Sequence, residues 1–226
     1  MGAVKAEMSG TIPAAALGDG PGLPPELAAA LTRKTTAEAK LAESKLTVEQ
    51  LNLENIRSSN DQNRTLVLTG AIIDTEEAVA ILMRWGRRDP GKPITIYLNT
   101  PGGSVFDGNA LVSAIRELRK AGHKVTIHGV GMVMSYGAVL LQAADERILD
   151  KDVVFMIHAL NAPVAGALES IQDQAKMLQE VQDRLLDALL ERATISRTKL
   201  KQLTRRKELF LSAADAKKMG FCDRVE

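Results

Sequence analysis

The chain has 226 residues, 45% of them hydrophobic, which is enough for one domain with a sizeable core and a shorter appendage. Its net charge of +1 and its 3% content of aromatic residues argue against a nucleic-acid partner, and no apolar run is long enough for a membrane helix. The single cysteine, Cys222, excludes an internal disulfide framework and a multi-cysteine metal site, and the N-terminus lacks a secretory signal pattern, which together favour a cytoplasmic protein.

The first 63 residues differ in composition from the rest of the chain. Residues 1–35 are rich in Ala, Gly and Pro and lack a repeating apolar stripe, so this segment is expected to be disordered. Residues 36–63 begin with helix-forming residues and spaced apolar positions up to about Ile56, and they end in the polar run RSSNDQN. This pattern predicts an amphipathic helix that needs a partner surface, followed by a linker.

From residue 64 onward, β-rich runs alternate with helical patterns. The runs TLVLTG, KPITIYLN, HKVTIHGVG, ERILD and VVFMIHA are predicted strands. The segments TEEAVAILMRWG and DGNALVSAIRELRKAG are predicted helices, and Asp74 with Glu77 resembles a capping box at the start of the first. Strands separated by helices predict parallel β-α-β units with both sheet faces covered, which is the α/β class.

Two strand-to-helix junctions are candidates for chemistry, because ligands gather where the strands of such a sheet end. In YLNTPGGSVFDG, residues 97–108, paired glycines let backbone N–H groups approach a ligand closely, although the same residues also suit an ordinary tight turn. In GVGMVMSYGAVLLQAA, residues 129–144, Ser135 stands at the predicted start of a helix among small and apolar residues. Free N–H groups there would stabilise an oxyanion beside its hydroxyl.

A nucleophilic serine needs a base, and the chain offers three histidines. His123 lies in the charged turn KAGHKV and is expected to be a solvated loop residue. His128 lies within a predicted strand and is expected to be a structural histidine. His158 ends an apolar strand, from which its imidazole can lean toward a neighbouring helix start, so it is either a core residue or the base.

Four motifs carry a family resemblance. YLNTPGGSV, GMVMSYGA, MIHA and FLSAADAKKMGFCDRV, in this order, resemble the ClpP family of serine peptidases and its phage-encoded relatives over about residues 64–226. The resemblance implies a ClpP/crotonase-like fold in which Ser135 is the nucleophile and His158 is the general base. It also implies an oxyanion hole made by the backbone N–H groups of Gly103 and Tyr136, and it implies no metal or organic cofactor.

The third member of the implied triad departs from the family pattern. The position of the family aspartate, two residues before the aromatic residue of FLSA, is Glu208 here. A glutamate can orient and stabilise an imidazolium as an aspartate does, but its side chain is longer. The alternative is that Glu208 is an ordinary surface charge. Tyr136 stands where the cellular members usually have methionine.

A long helix is predicted over residues 167–193, with apolar residues at spacings of three, four and seven. The resemblance implies that this helix is a projecting handle that joins two heptameric rings; the alternative is a helix packed on its own domain. The implied partners are peptide or unfolded-protein substrates, further copies of the chain, and either a Clp ATPase or phage capsid proteins. The preceding segment ALNAPVAGAL has fewer glycines than the family strand that aligns substrate.

The sequence therefore predicts a serine endopeptidase that hydrolyses peptide bonds within an oligomeric ring. Two alternatives stay open at this point. A crotonase-like acyl-CoA enzyme also builds an oxyanion hole from backbone N–H groups, and a catalytically silent ring subunit or scaffold would keep the fold without the chemistry.

Overall fold

The computed structural model describes residue 36, residues 62–205 and residues 207–226. The predicted disordered segment, residues 1–35, lies outside the described residues, and so does nearly all of the predicted helix and linker at residues 36–63. Both stay predictions. The described residues from 62 onward belong to one compact unit of the chain.

The described part of the chain contains seven strands and six helices. The strands are β1 (Thr65–Thr69), β2 (Ile94–Thr100), β3 (Val125–Met134), β4 (Glu146–Leu149), β5 (Val154–Ile157), β6 (Leu209–Leu211) and β7 (Arg224–Val225). The helices are α1 (Glu76–Gly86), α2 (Val105–Lys120), α3 (Tyr136–Gln142), α4 (Leu168–Leu190), α5 (Arg197–Thr204) and α6 (Ala213–Lys218).

Five of the strands are parallel neighbours in the order β1-β2-β3-β4-β7. Helices α1, α2 and α3 connect β1 to β2, β2 to β3 and β3 to β4, which confirms the predicted α/β fold of repeated β-α-β units. The last residues of β3 leave β4 and pair in parallel with β5. Strand β5 in turn pairs with β6, which runs antiparallel to it.

The hydrophobic core lies between the sheet and the helices that cover it. In β2, Ile94, Ile96 and Leu98 are fully buried while the residues between them are not, as expected for alternating strand side chains. In α2, the buried positions include the predicted stripe of Leu111, Ile115 and Leu118. This packing holds the ends of β2 and β3 in fixed positions, and both candidate junctions follow those ends.

Helix α4 has 23 residues and therefore spans about 34 Å at roughly 1.5 Å per residue. Only Leu186 and Leu189, near its C-terminal end, are buried, whereas Leu168 at its start is 66% exposed. The first half of the helix thus projects, as expected for a handle. Among the described residues, no helix combines the length and the apolar character that crossing a membrane requires.

Two local predictions are wrong. His123 is not a solvated loop residue: it is 2% exposed, and its Nδ1 lies 2.9 Å from the Lys92 carbonyl oxygen and 3.4 Å from Nη1 of the buried Arg64. Residues distant in sequence cover this turn. His128, in contrast, is a structural histidine as predicted, with Nε2 2.8 Å from Asp150 Oδ1.

The expected capping box at the start of α1 begins from the wrong residue. Thr75, rather than Asp74, is the N-cap residue, and its side chain makes no cap hydrogen bond. Its hydroxyl instead donates to the carbonyl oxygen of Asp107 at 3.2 Å, in the first turn of α2. Contact between two helices therefore outweighs the local capping signal.

Candidate active site

Ser135 occupies a sharp turn between β3 and α3. Its backbone angles are φ 52° and ψ −119°, a region that side-chain-bearing residues rarely adopt and that costs about 1–3 kcal/mol. The turn is held because the Ser135 N–H donates to the carbonyl oxygen of Met156 in β5 at 2.8 Å. Strain of this kind typically presents a serine hydroxyl above the end of a sheet, at the start of a helix.

His158 directly follows β5, the strand that pairs with the end of β3. Met134 and Met156 are partners in this parallel ladder, so the chain continues from paired positions to Ser135 on one side and toward His158 on the other. The half-buried imidazole places Nε2 2.7 Å from Ser135 Oγ. At this distance a neutral imidazole can accept the hydroxyl proton.

The glycine junction after β2 packs directly against this pair. Gly102 has φ 96°, and a Cβ built there would lie 2.6 Å from Ser135 Cβ. A Cβ on Gly103 would lie 2.3 Å from the carbonyl oxygen of Ile72, because residue 103 forms a parallel bridge with Ile72. Glycine is therefore required at both positions, because a side chain at either one would collide with neighbouring atoms. The junction is more than a simple tight turn.

The family resemblance implies an oxyanion hole made by the backbone N–H groups of Gly103 and Tyr136. Among the described residues, neither the N–H of Gly103 nor that of Tyr136 takes part in a hydrogen bond. Tyr136 is the first residue of α3, where no intrahelical acceptor is available. Both N–H groups are thus available to an acceptor on a bound molecule.

The strand register sets Glu208 opposite His158, but no hydrogen bond joins their side chains. Strands β5 and β6 pair Ile157 with Leu209, so the next antiparallel pair in this register would be His158 with Glu208. Directly opposite residues place their side chains on the same face. Glu208 is nevertheless exposed, and within the described part of the chain it makes no hydrogen bond or ion pair. The structure brings Ser135 and His158 together and leaves Glu208 beside them.

A pocket of about 380 Å³ opens next to Ser135 and His158. One wall is an apolar face of α4, formed by Met177, Leu178, Val181, Leu185 and Leu189. The lining also includes Phe106, an exposed residue in the first turn of α2. The pocket was not predicted from the sequence. The apolar stripe of the predicted long helix could have indicated it, because part of that stripe faces the site.

The loop after His158 is tied to the same helix. The N–H of Leu160 donates to the side-chain carbonyl of Gln182, which stands on α4 and also lines the pocket. A side-chain acceptor on α4 therefore fixes the backbone two residues beyond His158. The position of α4 is in this way linked to the position of the imidazole.

Several known proteins are similar in sequence to this chain. The family model described as Clp protease matches residues 49–226. The ATP-dependent Clp protease proteolytic subunit of Deinococcus radiodurans is 30% identical over 165 residues, which cover 71% of this chain and 79% of that protein. The ATP-dependent Clp protease proteolytic subunit 1 of Gloeobacter violaceus is 33% identical over 165 residues, covering 71% of this chain and 82% of that protein.

Proposed function

The chain belongs to the Clp protease family, and from this membership we propose that it is a serine endopeptidase working within an oligomeric ring. The single observation that carries the proposal is the 2.7 Å distance between Ser135 Oγ and His158 Nε2, at a strained strand-to-helix turn. A serine hydroxyl at this distance from an imidazole can act as a nucleophile, because the imidazole can take its proton.

Each step of the proposed reaction uses a group described above. Ser135 Oγ attacks the carbonyl carbon of a peptide bond while its proton passes to His158 Nε2. The N–H groups of Gly103 and Tyr136 stabilise the oxyanion. His158 then gives the proton to the leaving amine, and a water molecule activated by the same imidazole hydrolyses the acyl-enzyme. Glu208 completes the triad when its carboxylate turns toward His158 Nδ1, where it stabilises the imidazolium.

The pocket beside Ser135 suggests the substrate class. Because the α4 wall of the pocket is apolar, we expect it to take an apolar side chain next to the scissile bond. The substrate is then a peptide or an unfolded segment of protein, bound in extended form. Both relatives are named as subunits of ATP-dependent Clp proteases, so we propose a Clp ATPase as the partner that delivers unfolded protein. A phage capsid protein is the alternative substrate, and we place the activity in the cytoplasm.

The exposed first half of α4 supports the ring. An apolar side chain as exposed as Leu168 on a projecting helix is suited to contact with another copy of the chain. Leu168→Glu should therefore reduce the mass that light scattering measures for the assembled protein. Lys176→Glu is the matched control, since it changes the charge at an exposed position of the same helix. A wild-type protein that hydrolyses peptides as a monomer at micromolar concentration contradicts the ring.

The chemistry is tested by covalent labelling. A fluorophosphonate probe should label the wild-type protein at Ser135, and Ser135→Ala should lose both labelling and hydrolysis of a fluorogenic peptide. Digestion of casein with and without a Clp ATPase then tests the partner. If the folded wild-type protein is not labelled and cleaves no peptide, the chain is a silent ring subunit or scaffold, or it acts on a different acyl group.

A further inference from the structure

The side chain of Tyr136 is held by α2. Its phenol ring is 3% exposed, and its hydroxyl donates to Asn109 Oδ1 at 2.5 Å. The ring passes over Gly108, where a Cβ would lie 2.2 Å from the Tyr136 Cε1 atom. Gly108 thus provides the space, and Asn109 provides the acceptor, for a side chain that belongs to the residue after Ser135.

The hydroxyl of Tyr136 is a permanent donor in this contact. Burial raises the pKa of Tyr136 to about 12, and the positive charge of Arg116 lowers it only in part. The phenol therefore stays protonated at every pH at which the protein would work, and the hydrogen bond to Asn109 does not depend on pH in that range.

The start of α2 carries the other backbone donor of the site. Gly103 lies two residues before the first residue of this helix, and Ser104 is its N-cap, with an Oγ that accepts from the N–H of Asp107. The carbonyl oxygen of Asp107 accepts a hydrogen bond from the hydroxyl of Thr75, the N-cap residue of α1. The start of α2 is therefore held by Thr75 through Asp107 and by Tyr136 through Gly108 and Asn109.

We infer that the hydrogen bond from Tyr136 to Asn109 is a clamp that fixes the distance between the Gly103 and Tyr136 N–H groups, and that Asn109 and the Tyr136 phenol are positioning residues. This inference rests on the proposed function. Oxyanion donors must lie within about 2.7–3.1 Å of the developing charge. A displacement of about 1 Å can cost roughly a hundredfold in rate, so a side chain that touches no substrate can still control the reaction.

Asn109 offers a clean test because its side chain is exposed on α2 and its replacement leaves the core intact. Asn109→Ala removes the acceptor, whereas Asn109→Asp keeps an oxygen in the same place. Tyr136→Phe removes the donor and keeps the ring over Gly108. We expect Asn109→Ala and Tyr136→Phe each to lower kcat by about tenfold or more, with KM within about twofold of wild type. Asn109→Asp should keep most of the wild-type kcat.

The double variant Asn109→Ala with Tyr136→Phe should be no slower than the slower single variant, because both changes break one bond. A merely structural role would lower thermal stability without this kcat pattern and without rescue by Asn109→Asp. The clamp is overturned if Asn109→Ala reacts with the fluorophosphonate probe and turns over peptide at the wild-type rate. A wild-type protein that is itself unlabelled at Ser135 overturns the proposed function and the clamp together, so the two failures are distinguishable.

Discussion

Replacing Gly102 by alanine would place a methyl group against the candidate nucleophile. The new Cβ would lie 2.6 Å from Ser135 Cβ and 3.1 Å from Ser135 Oγ, while ordinary contacts begin at 3.4 Å. Ser135 must therefore move by about 0.8 Å, and displacements near 1 Å cost roughly a hundredfold in rate. We expect the kcat for a fluorogenic peptide to fall by about that factor. The φ of 96° adds about 1–2 kcal/mol of backbone strain.

Gly122→Ala is the matched control for this experiment. Gly122 has φ 85°, close to that of Gly102, but a Cβ built there meets nothing within 4 Å. This variant should lose about 1–2 kcal/mol in the free energy of unfolding through strain and keep the wild-type kcat. Denaturant titration measures the first quantity and peptide hydrolysis the second. A folded Gly102→Ala protein with a kcat within twofold of wild type would refute the packing argument.

Three further results are expected. Ser135→Gly and Ser135→Ala should both be inactive, but the free energy of unfolding should be about 1 kcal/mol higher for the glycine variant, because glycine adopts φ 52° without strain. Equal free energies of unfolding would contradict backbone strain at Ser135. Glu208→Gln should slow acylation by about a hundredfold or more if the carboxylate turns toward His158, and a wild-type acylation rate would remove Glu208 from the triad. Burial alone would raise the pKa of Asp223, but the hydrogen bonds from Arg147 and the positive charges of Arg147 and Arg192 together lower it below its ordinary value. That stabilisation is present above about pH 4 and is lost as pH falls through the lowered pKa. Asp223→Asn should therefore cost about 3 kcal/mol at pH 7, because it leaves the Arg147 charge buried. The difference in the free energy of unfolding between the two proteins, measured by chemical denaturation, should narrow as pH falls below about 4, and a pH-independent difference would contradict this linkage.

The parts of the fold that follow from local pattern could be predicted from the sequence. Apolar periodicity and glycine breaks predict the alternation of strands and helices from Thr65 to Ile157, because both patterns depend on near neighbours in the chain. The junctions before Gly102 and Ser135 are visible for the same reason. The meeting of Ser135 with His158 could be expected only through the family resemblance, since no spacing rule relates two different strands.

What the sequence did not reveal depends on contacts between distant residues. His123 reads as a turn residue, and its burial comes from Arg64 and Lys92, which lie some thirty or more positions away. Strand β6 breaks the parallel pattern, and its antiparallel register is what sets Glu208 opposite His158. The pattern at Asp74 predicts a capping box, but the N-cap residue is Thr75, whose hydroxyl bonds to a second helix. Periodicity cannot report any of these, because each is decided by packing.

The hydrogen bonds of the Ser135 and Leu160 amides predict the order in which parts of this molecule open. Since the Ser135 amide is bonded to Met156 across the sheet, its hydrogen should exchange with deuterium only when the sheet itself separates. The amide of Leu160 is bonded to the side chain of Gln182 on α4 and should exchange through local opening of that helix. Partial opening therefore removes the pocket wall first, while Ser135 and His158 are still paired. Heating should abolish substrate binding at a lower temperature than it abolishes reaction with a small covalent probe.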